Sequence, residues 1–482
     1  MSSAGPSRAA NAPPGGSDVH AVTSVGAEIL SLWRLAWPIL VGQLASVGLS
    51  ATAVMMAGNA SAQDLAGVSL GASIWLISNV TLIGLMLSVN PVIAHHVGAG
   101  ALDRVPQVVR QGLWKALAVG LVAAGLNWAV IPVFDRLALQ PAVQELAADF
   151  VRISSAGLPA FAAYRVLYGY SASLNQTRPM MVVALAALGL HVALSALLVH
   201  GLGGLPRLGG LGCAWAVLAS TWFSLAALLV WIARAPAYRA TWPFARFEWP
   251  DGPVLAMLLR LGLPIGVTYF AETSAFGLIA LLLARFGAVE VGAHQIALNA
   301  ASVTFMLPMS VGLAMLTRIG HSLGAGRPAE ARFRAWVGIG MALTLSATAA
   351  LGMALGSRQI AGLYTHDAAV TTLAARLLLL AAVFQLSDGL QVAASSALRG
   401  YKVTRAPMVI HLASFWGLSL PLGCALGLAP VWLPLAPDQP MGAPGFWIGL
   451  VVALTFAALS LTALLRRVAR SRLPRPASTH SS

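Results

Sequence analysis

Twelve long apolar runs, separated by short polar or glycine- and proline-rich stretches, dominate the chain. They span 31–57, 66–94, 108–134, 147–171, 180–201, 209–233, 254–284, 292–318, 335–356, 369–397, 407–429 and 444–465. As helices they are long enough to cross about 30 Å of hydrocarbon. Membrane strands would run about ten residues with alternating polarity, and these runs are longer and uniformly apolar. The pattern predicts an all-α integral membrane protein with twelve transmembrane helices.

The two halves of the pattern repeat. Trp37-Pro38-Ile39 matches Leu263-Pro264-Ile265, Asp64 matches Glu290, His95 matches His321, and Gly98-Ala99-Gly100 matches Gly324-Ala325-Gly326, all 226 residues apart. Thr177-Arg178 and Met181-Val182 find their counterparts, Thr404-Arg405 and Met408-Val409, 227 residues on. The chain therefore reads as a flexible tail (1–29), a six-helix lobe (30–234), a polar linker (235–253), a second six-helix lobe (254–466) and a basic tail (467–482). An even number of crossings per repeat gives both lobes the same orientation, so a pseudo-twofold runs along the membrane normal around a central cleft. No signal peptide precedes the first run, and a monomer is expected.

Composition agrees: of 482 residues, 58% are hydrophobic and only 9% charged, with mean hydropathy +0.80. Soluble domains carry about a quarter charged residues, so an ordinary cytosolic enzyme is excluded. The net charge of +14 follows a topological rule instead of marking a nucleic-acid surface. Arg8, Arg34 and the bases in every second connection, ending with Arg466, Arg467, Arg470, Arg472 and Arg475, put 22 cations on one side. Only Arg136, Arg207, Arg285 and Arg358, four residues, fall on the other. The positive-inside rule then places both termini in the cytoplasm, and a bacterial inner membrane is the expected location. Membrane lipids are the expected surroundings, and no nucleic-acid partner is expected. Cys213 and Cys424 lie apart in apolar runs and read as small fillers. Met55, Met56, Met306, Met309 and Met315 read as packing, and Trp33, Trp37, Trp242 and Trp249 as interfacial anchors.

Most acids fall in connections or at the edges of runs, Glu28 and Asp367 among them. Glu272 in the seventh run and Asp388 in the tenth do not. A charge at mid-helix costs about 2.5–3.5 kcal/mol on insertion scales and marks an ion or substrate path. Thr268 and Tyr269 precede Glu272 by one turn, and Gln391 and Ser395 follow Asp388 on its side of the helix. Gln295, Asn299 and Ser302 form a third polar stripe in the eighth run. Converging stripes would give two carboxylates one pocket, able to hold a proton or a hard cation such as Na⁺, and to attract an organic cation. Structural pairing with Arg152, Arg165 or Arg376 is the competing reading. No phosphate-binding GxxxxGK[ST] loop and no paired acid-rich motif occurs, which argues against ATP-driven export and against a membrane transferase. No enzyme activity and no cofactor is expected.

Several segments resemble the multidrug and toxic compound extrusion (MATE) family in its NorM-like branch. They are Met55-Met56-Ala57-Gly58, Ala72-Ser73-Ile74-Trp75, Pro264 through Glu272, Gly292 through Asn299, and Gln385-Leu386-Ser387-Asp388 leading to Leu398-Arg399-Gly400-Tyr401-Lys402. The resemblance covers 30–465 and implies an antiporter in which Na⁺ or H⁺ enters as organic cation drugs leave. It places Glu272 and Asp388 in the ion and drug site, with Gln295 and Asn299 beside it, and Asp367 on an external loop that closes over the drug. Tyr269, Phe384 and Gln391 join them as candidate substrate contacts. The chain also departs from the family pattern. Ala53 stands where an acid of the first helix is usual, His191 and Ser195 replace two asparagines, and Phe384 replaces a tyrosine. These losses shift the expected coupling toward the second lobe, with His191 as a candidate titratable substitute in the first and Pro38 still permitting a kink there. A flippase for lipid-linked precursors, of the same superfamily, is the alternative function.

Overall fold

The computed structural model describes residues 24–136, 140–204, 206–429, 437 and 439–473, which are helical or in short connections. Arg8, Asp18, Asp438 and Arg475, with most of both tails, lie outside the described residues. The N-lobe comprises α1 (Val25–Ala60), α2 (Ala62–Met86), α3 (Val89–Gly98), α4 (Val105–Val130), α5 (Pro141–Ser155), α6 (Leu158–Ser173), α7 (Arg178–His200) and α8 (Gly210–Arg234). The C-lobe comprises α9 (Gly252–Leu283), α10 (Ala288–Gly324), α11 (Pro328–Leu355), α12 (Ser357–Tyr364), α13 (Ala368–Gly400), α14 (Arg405–Leu412), α15 (Leu420–Leu428) and α16 (Ala443–Ser471).

Eleven helices or helix pairs are each long and apolar enough to span a membrane. The fourth crossing is made by α5 and α6 together, because Ala156-Gly157 interrupts it and Pro159, in the first turn of α6, has no N–H to continue the earlier helix. That completes the twelve crossings. A second break, at Leu87-Ser88, divides α2 from α3. Lys115 of α4 satisfies it, its Nζ donating to the Leu85 carbonyl (2.8 Å) and the Ser88 hydroxyl (2.7 Å).

The repeat has a physical signature in each lobe. Asp64 accepts a hydrogen bond from the first amide of α8, Gly210 N, at 2.9 Å. Its counterpart Glu290 accepts from the first amide of α16, Ala443 N, at 2.8 Å. A carboxylate at a helix N-terminus satisfies an orphan N–H and complements the helix dipole. These two acids therefore staple the last crossing of each lobe to its second.

Two boundaries move. Residues 24–29, expected as tail, are the cap and first turn of α1: Ser24 Oγ accepts from Ala27 N, and Glu28 is fully buried. Glu28 is thus not a connection acid. It accepts from Arg318 Nε and Arg318 Nη2, both at 2.5 Å, with Arg334 Nε 3.6 Å away. At the other end α16 runs to Ser471, beyond the expected boundary at 466. Within the linker, Pro236–Thr241 forms a 3-10 turn, and the segment is strapped to α4. Arg110 donates to Glu248 and to the Pro243 carbonyl, both at 2.7 Å, and Trp114 Nε1 donates to the Glu248 carbonyl at 2.9 Å.

The lobes meet at the end that carries the described termini. His95 Nε2 lies 3.0 Å from the Gly400 carbonyl oxygen, and His321 Nε2 lies 2.8 Å from that of Ser173. The two contacts are images of each other under the repeat. Gly98 and Gly324 let the helices approach: a Cβ on either would lie 2.1 Å from the carbonyl oxygen of His321 or His95. Toward the middle, Thr317 Oγ1 donates to Asn90 Oδ1 (3.1 Å) and Gln43 reaches the Met309 sulfur (3.5 Å). Among the described residues, no side-chain hydrogen bond joins the lobes at the opposite end.

Candidate functional site

Glu272 and Asp388 both lie in the C-lobe, near enough for their charges to interact. Pro264 lies inside α9, where its missing N–H leaves the Arg260 carbonyl without its helical partner, and Thr268 Oγ1 donates to the Pro264 carbonyl at 2.9 Å. One turn on, Glu272 is half-buried. Trp416 Nε1 donates to the Ala271 carbonyl at 3.1 Å, which fixes α9 beside the eleventh crossing. That crossing widens into a π-helix over Ala413–Ser419, upstream of Pro421, whose missing N–H cannot close the preceding turn.

Asp388 is 3% exposed in α13. The charges acting on Glu272 are the Asp388 carboxyl and the Arg399 guanidinium. No arginine forms an ion pair with either acid among the described residues. Arg152 pairs with Asp149, Arg165 lies 4.5 Å over the Tyr168 ring, and Arg376 is exposed. Structural pairing with those three is therefore not what holds the acids.

Two participants had not been expected. Arg399, expected in a connection, lies in the last turn of α13, which runs to Gly400. It is 8% exposed, with its guanidinium 5.2 Å over the Tyr269 ring. The other is His411. Gln391 Nε2 donates to Asp388 Oδ1 at 3.1 Å, and Gln391 Oε1 lies 2.6 Å from His411 Nε2. His411 Nδ1 lies 2.7 Å from the Pro407 carbonyl oxygen. A histidine buried in an apolar crossing was itself the signal.

The protonation of this chain is constrained by counting donors. A carbonyl oxygen only accepts, so His411 Nδ1 carries a hydrogen. With the Gln391 oxygen toward His411, Nε2 must carry one as well, giving an imidazolium opposite an Asp388 carboxylate. If the amide is turned over, its NH₂ donates to a neutral imidazole and its oxygen requires a protonated Asp388. Either way the chain is satisfied when it holds one proton, and removing that proton sets acceptor against acceptor.

The remaining expected residues sit apart from this chain. Phe384, one turn before Asp388, is 5% exposed and packs in an aromatic cluster, with centroids 5.7 Å from Trp447 and 6.2 Å from Phe276. Gln295 and Asn299 are exposed on α10 and form no hydrogen bond to the carboxylate cluster. Asp367 stands on the connection before α13. It caps α13, accepting from Ala369 N (2.8 Å) and Val370 N (3.1 Å). It precedes Asp388 along that helix by about 30 Å at 1.5 Å per residue. In the N-lobe His191 is fully buried between the hydroxyls of Ser195 (3.5 Å) and Ser220 (3.4 Å), with no acid beside it. Met309 and Met315 are buried, whereas Met55 is 66% exposed. Cys213 and Cys424 are both free.

Comparison with known proteins agrees with this architecture. The MatE family model matches twice, over residues 38–197 and 264–424, so the two matches begin 226 residues apart, as the repeat requires. Multidrug resistance protein PmpM of Pseudomonas aeruginosa is 41% identical over 447 residues, covering 92% of this chain and 93% of that protein. The probable multidrug resistance protein NorM of Chromobacterium violaceum is 41% identical over 450 residues, covering 93% and 96%. Among solved structures, the eukaryotic MATE transporter AtDTX14 superposes with a TM-score of 0.83 at 19% identity, over 93% of this chain and 98% of that one, which speaks to the fold alone. The chain belongs to the MatE family and is a multi-pass membrane transporter.

Proposed function

We propose that this transporter exports organic cations, including drugs, by alternating access, and that inward proton movement drives the cycle. The observation that carries the reading is the Asp388–Gln391–His411 chain beside Glu272, which is satisfied when it holds one proton. An organic cation drawn to Glu272 and Asp388 supplies the positive charge that the proton otherwise supplies, so the two compete for one site. Arg399, over Tyr269, limits how much positive charge the pocket holds at once. With the termini in the cytoplasm, the contacts of His95, His321 and Glu28 close the cytoplasmic end, so the lobe arrangement corresponds to an outward-facing state. Export then requires those contacts to open and re-form in each cycle, and each ligand biases the equilibrium by its different affinity for the two states.

The names of the multidrug resistance relatives support drugs as cargo. The two deep acids favour cationic cargo over the diphosphate of a lipid-linked precursor. The test is export of ethidium from proteoliposomes with pH and Na⁺ gradients imposed separately. A proton gradient alone should drive export. Export driven by a Na⁺ gradient alone would assign the coupling to Na⁺ instead.

A further inference from the structure

On the membrane-facing side, where α1 of the N-lobe meets α11 of the C-lobe, lies an apolar groove of about 630 Å³. Val25, Ile29 and Trp33 recur at four-residue spacing on α1 and form one wall. Phe333, Trp336, Val337 and Gly340 begin the other, a stripe that continues along α11 to Leu345. At 1.5 Å per residue the stripe is about 18 Å long, close to the depth of one leaflet of a bilayer about 30 Å thick.

Trp336 also lines a second cavity of about 200 Å³, whose other walls are Arg332, Arg466 and Arg470. The Arg466 guanidinium lies 5.4 Å over the Trp336 ring. None of the three arginines forms an ion pair among the described residues, unlike Arg318, Arg327 and Arg334 nearby. More positive charge stands behind them. Arg332 and Arg472 both act on Tyr401, and Arg472 acts on Lys402, whose ammonium is pushed below its ordinary range by burial and then by Arg472.

We propose that this composite cavity binds an anionic phospholipid of the leaflet on the side of the termini, its phosphate between Arg332, Arg466 and Arg470 and an acyl chain in the groove between α1 and α11. Charge complementarity selects the occupant. A zwitterionic lipid brings its own cation to a cluster that already has none of its three charges neutralised, and a free phosphate leaves the groove unfilled. Basic pockets between helices at the membrane surface bind such headgroups, at about 1 kcal/mol per cation.

The site straddles the lobes. The first turns of α1 are held to the C-lobe from inside by Glu28 with Arg318, and by Leu32 and Ala36 in the C-lobe core. A lipid packed on their outer face adds to the same docking and therefore favours the state closed at this end. That role is independent of cargo and of the coupling ion.

The test is lipid retention by the purified full-length transporter, measured by native mass spectrometry after exchange into mixed phosphatidylglycerol and phosphatidylcholine, with no gradient present. Wild type should retain phosphatidylglycerol preferentially. The triple variant R332Q/R466Q/R470Q should lose that preference by at least about tenfold, given about 1 kcal/mol per cation. R234Q/R239Q/R405Q, with equal charge loss elsewhere, should keep it. Gly340→Trp keeps the charge and projects into open space in the groove; it should displace the lipid too. Unchanged preference in either the triple variant or Gly340→Trp overturns the proposal. So does displacement of phosphatidylglycerol by millimolar inorganic phosphate, which would make the cavity a phosphate site. Because no transport is measured, failure here is separate from failure of the coupling scheme.

Discussion

His411 Nε2, on the crossing that follows α13, lies 2.6 Å from the amide oxygen of Gln391. Through that amide the imidazole is joined to Asp388 without touching it. The cluster therefore has a place for a proton on each side of a turnable amide.

His411→Ala should lower proton-driven export by at least tenfold, about 1.4 kcal/mol or more. Ethidium affinity should change far less, because Glu272 and Asp388 remain. Initial export rates and equilibrium binding on the same preparation check this. Equal loss of both would make His411 a packing residue.

Glycine is required where the lobes close. Gly324→Val puts a side chain against the His95 carbonyl, 2.1 Å from where a Cβ would stand, and backbone cannot yield cheaply there. The variant should abolish cycling while still inserting. Spin labels at Ala101 and Arg405 should report a longer distance than in wild type. An unchanged distance would remove this contact from the gate.

The linker strap gives a pH prediction of defined sign. The hydrogen bond from Arg110, and then the charges of Arg110 and Arg246, hold the Glu248 carboxyl below its ordinary range against an opposing desolvation effect. The folded protein thus takes up this proton less readily than the unfolded chain. The resulting stability is full above the ordinary carboxylate range and is lost as pH falls through the lowered value. Apparent Tm of wild type should exceed that of Glu248→Gln at neutral pH, and the gap should close on strong acidification.

The crossings, the repeat and the two deep acids were legible because each has a strong one-dimensional signal: long apolar runs, a fixed spacing, and charge where hydrocarbon forbids it. The breaks at Leu87-Ser88 and Ala156-Gly157 were not, because each falls within a single long run, although Pro91 and Pro159 mark the first turn of the helix that follows. Arg399 belongs to the last turn of α13 because that helix runs on three residues past the end of the apolar run at 397. Asp367 was read through the family resemblance, yet its local setting, two residues before the amides of α13, is that of an N-cap. Sequence context alone singles out His191 and not His411. The structure gives His191 hydroxyl neighbours at 3.4–3.5 Å and His411 a relay to an acid.

The central claim is that cargo and proton exclude each other at one cluster. Calorimetric titration of ethidium into detergent-solubilised transporter, repeated in buffers of different ionisation enthalpy, measures the protons released on binding. Release approaching one proton per ethidium bound in wild type, and close to none in Asp388→Asn, is the predicted result. Tight binding by wild type with no proton release would contradict it.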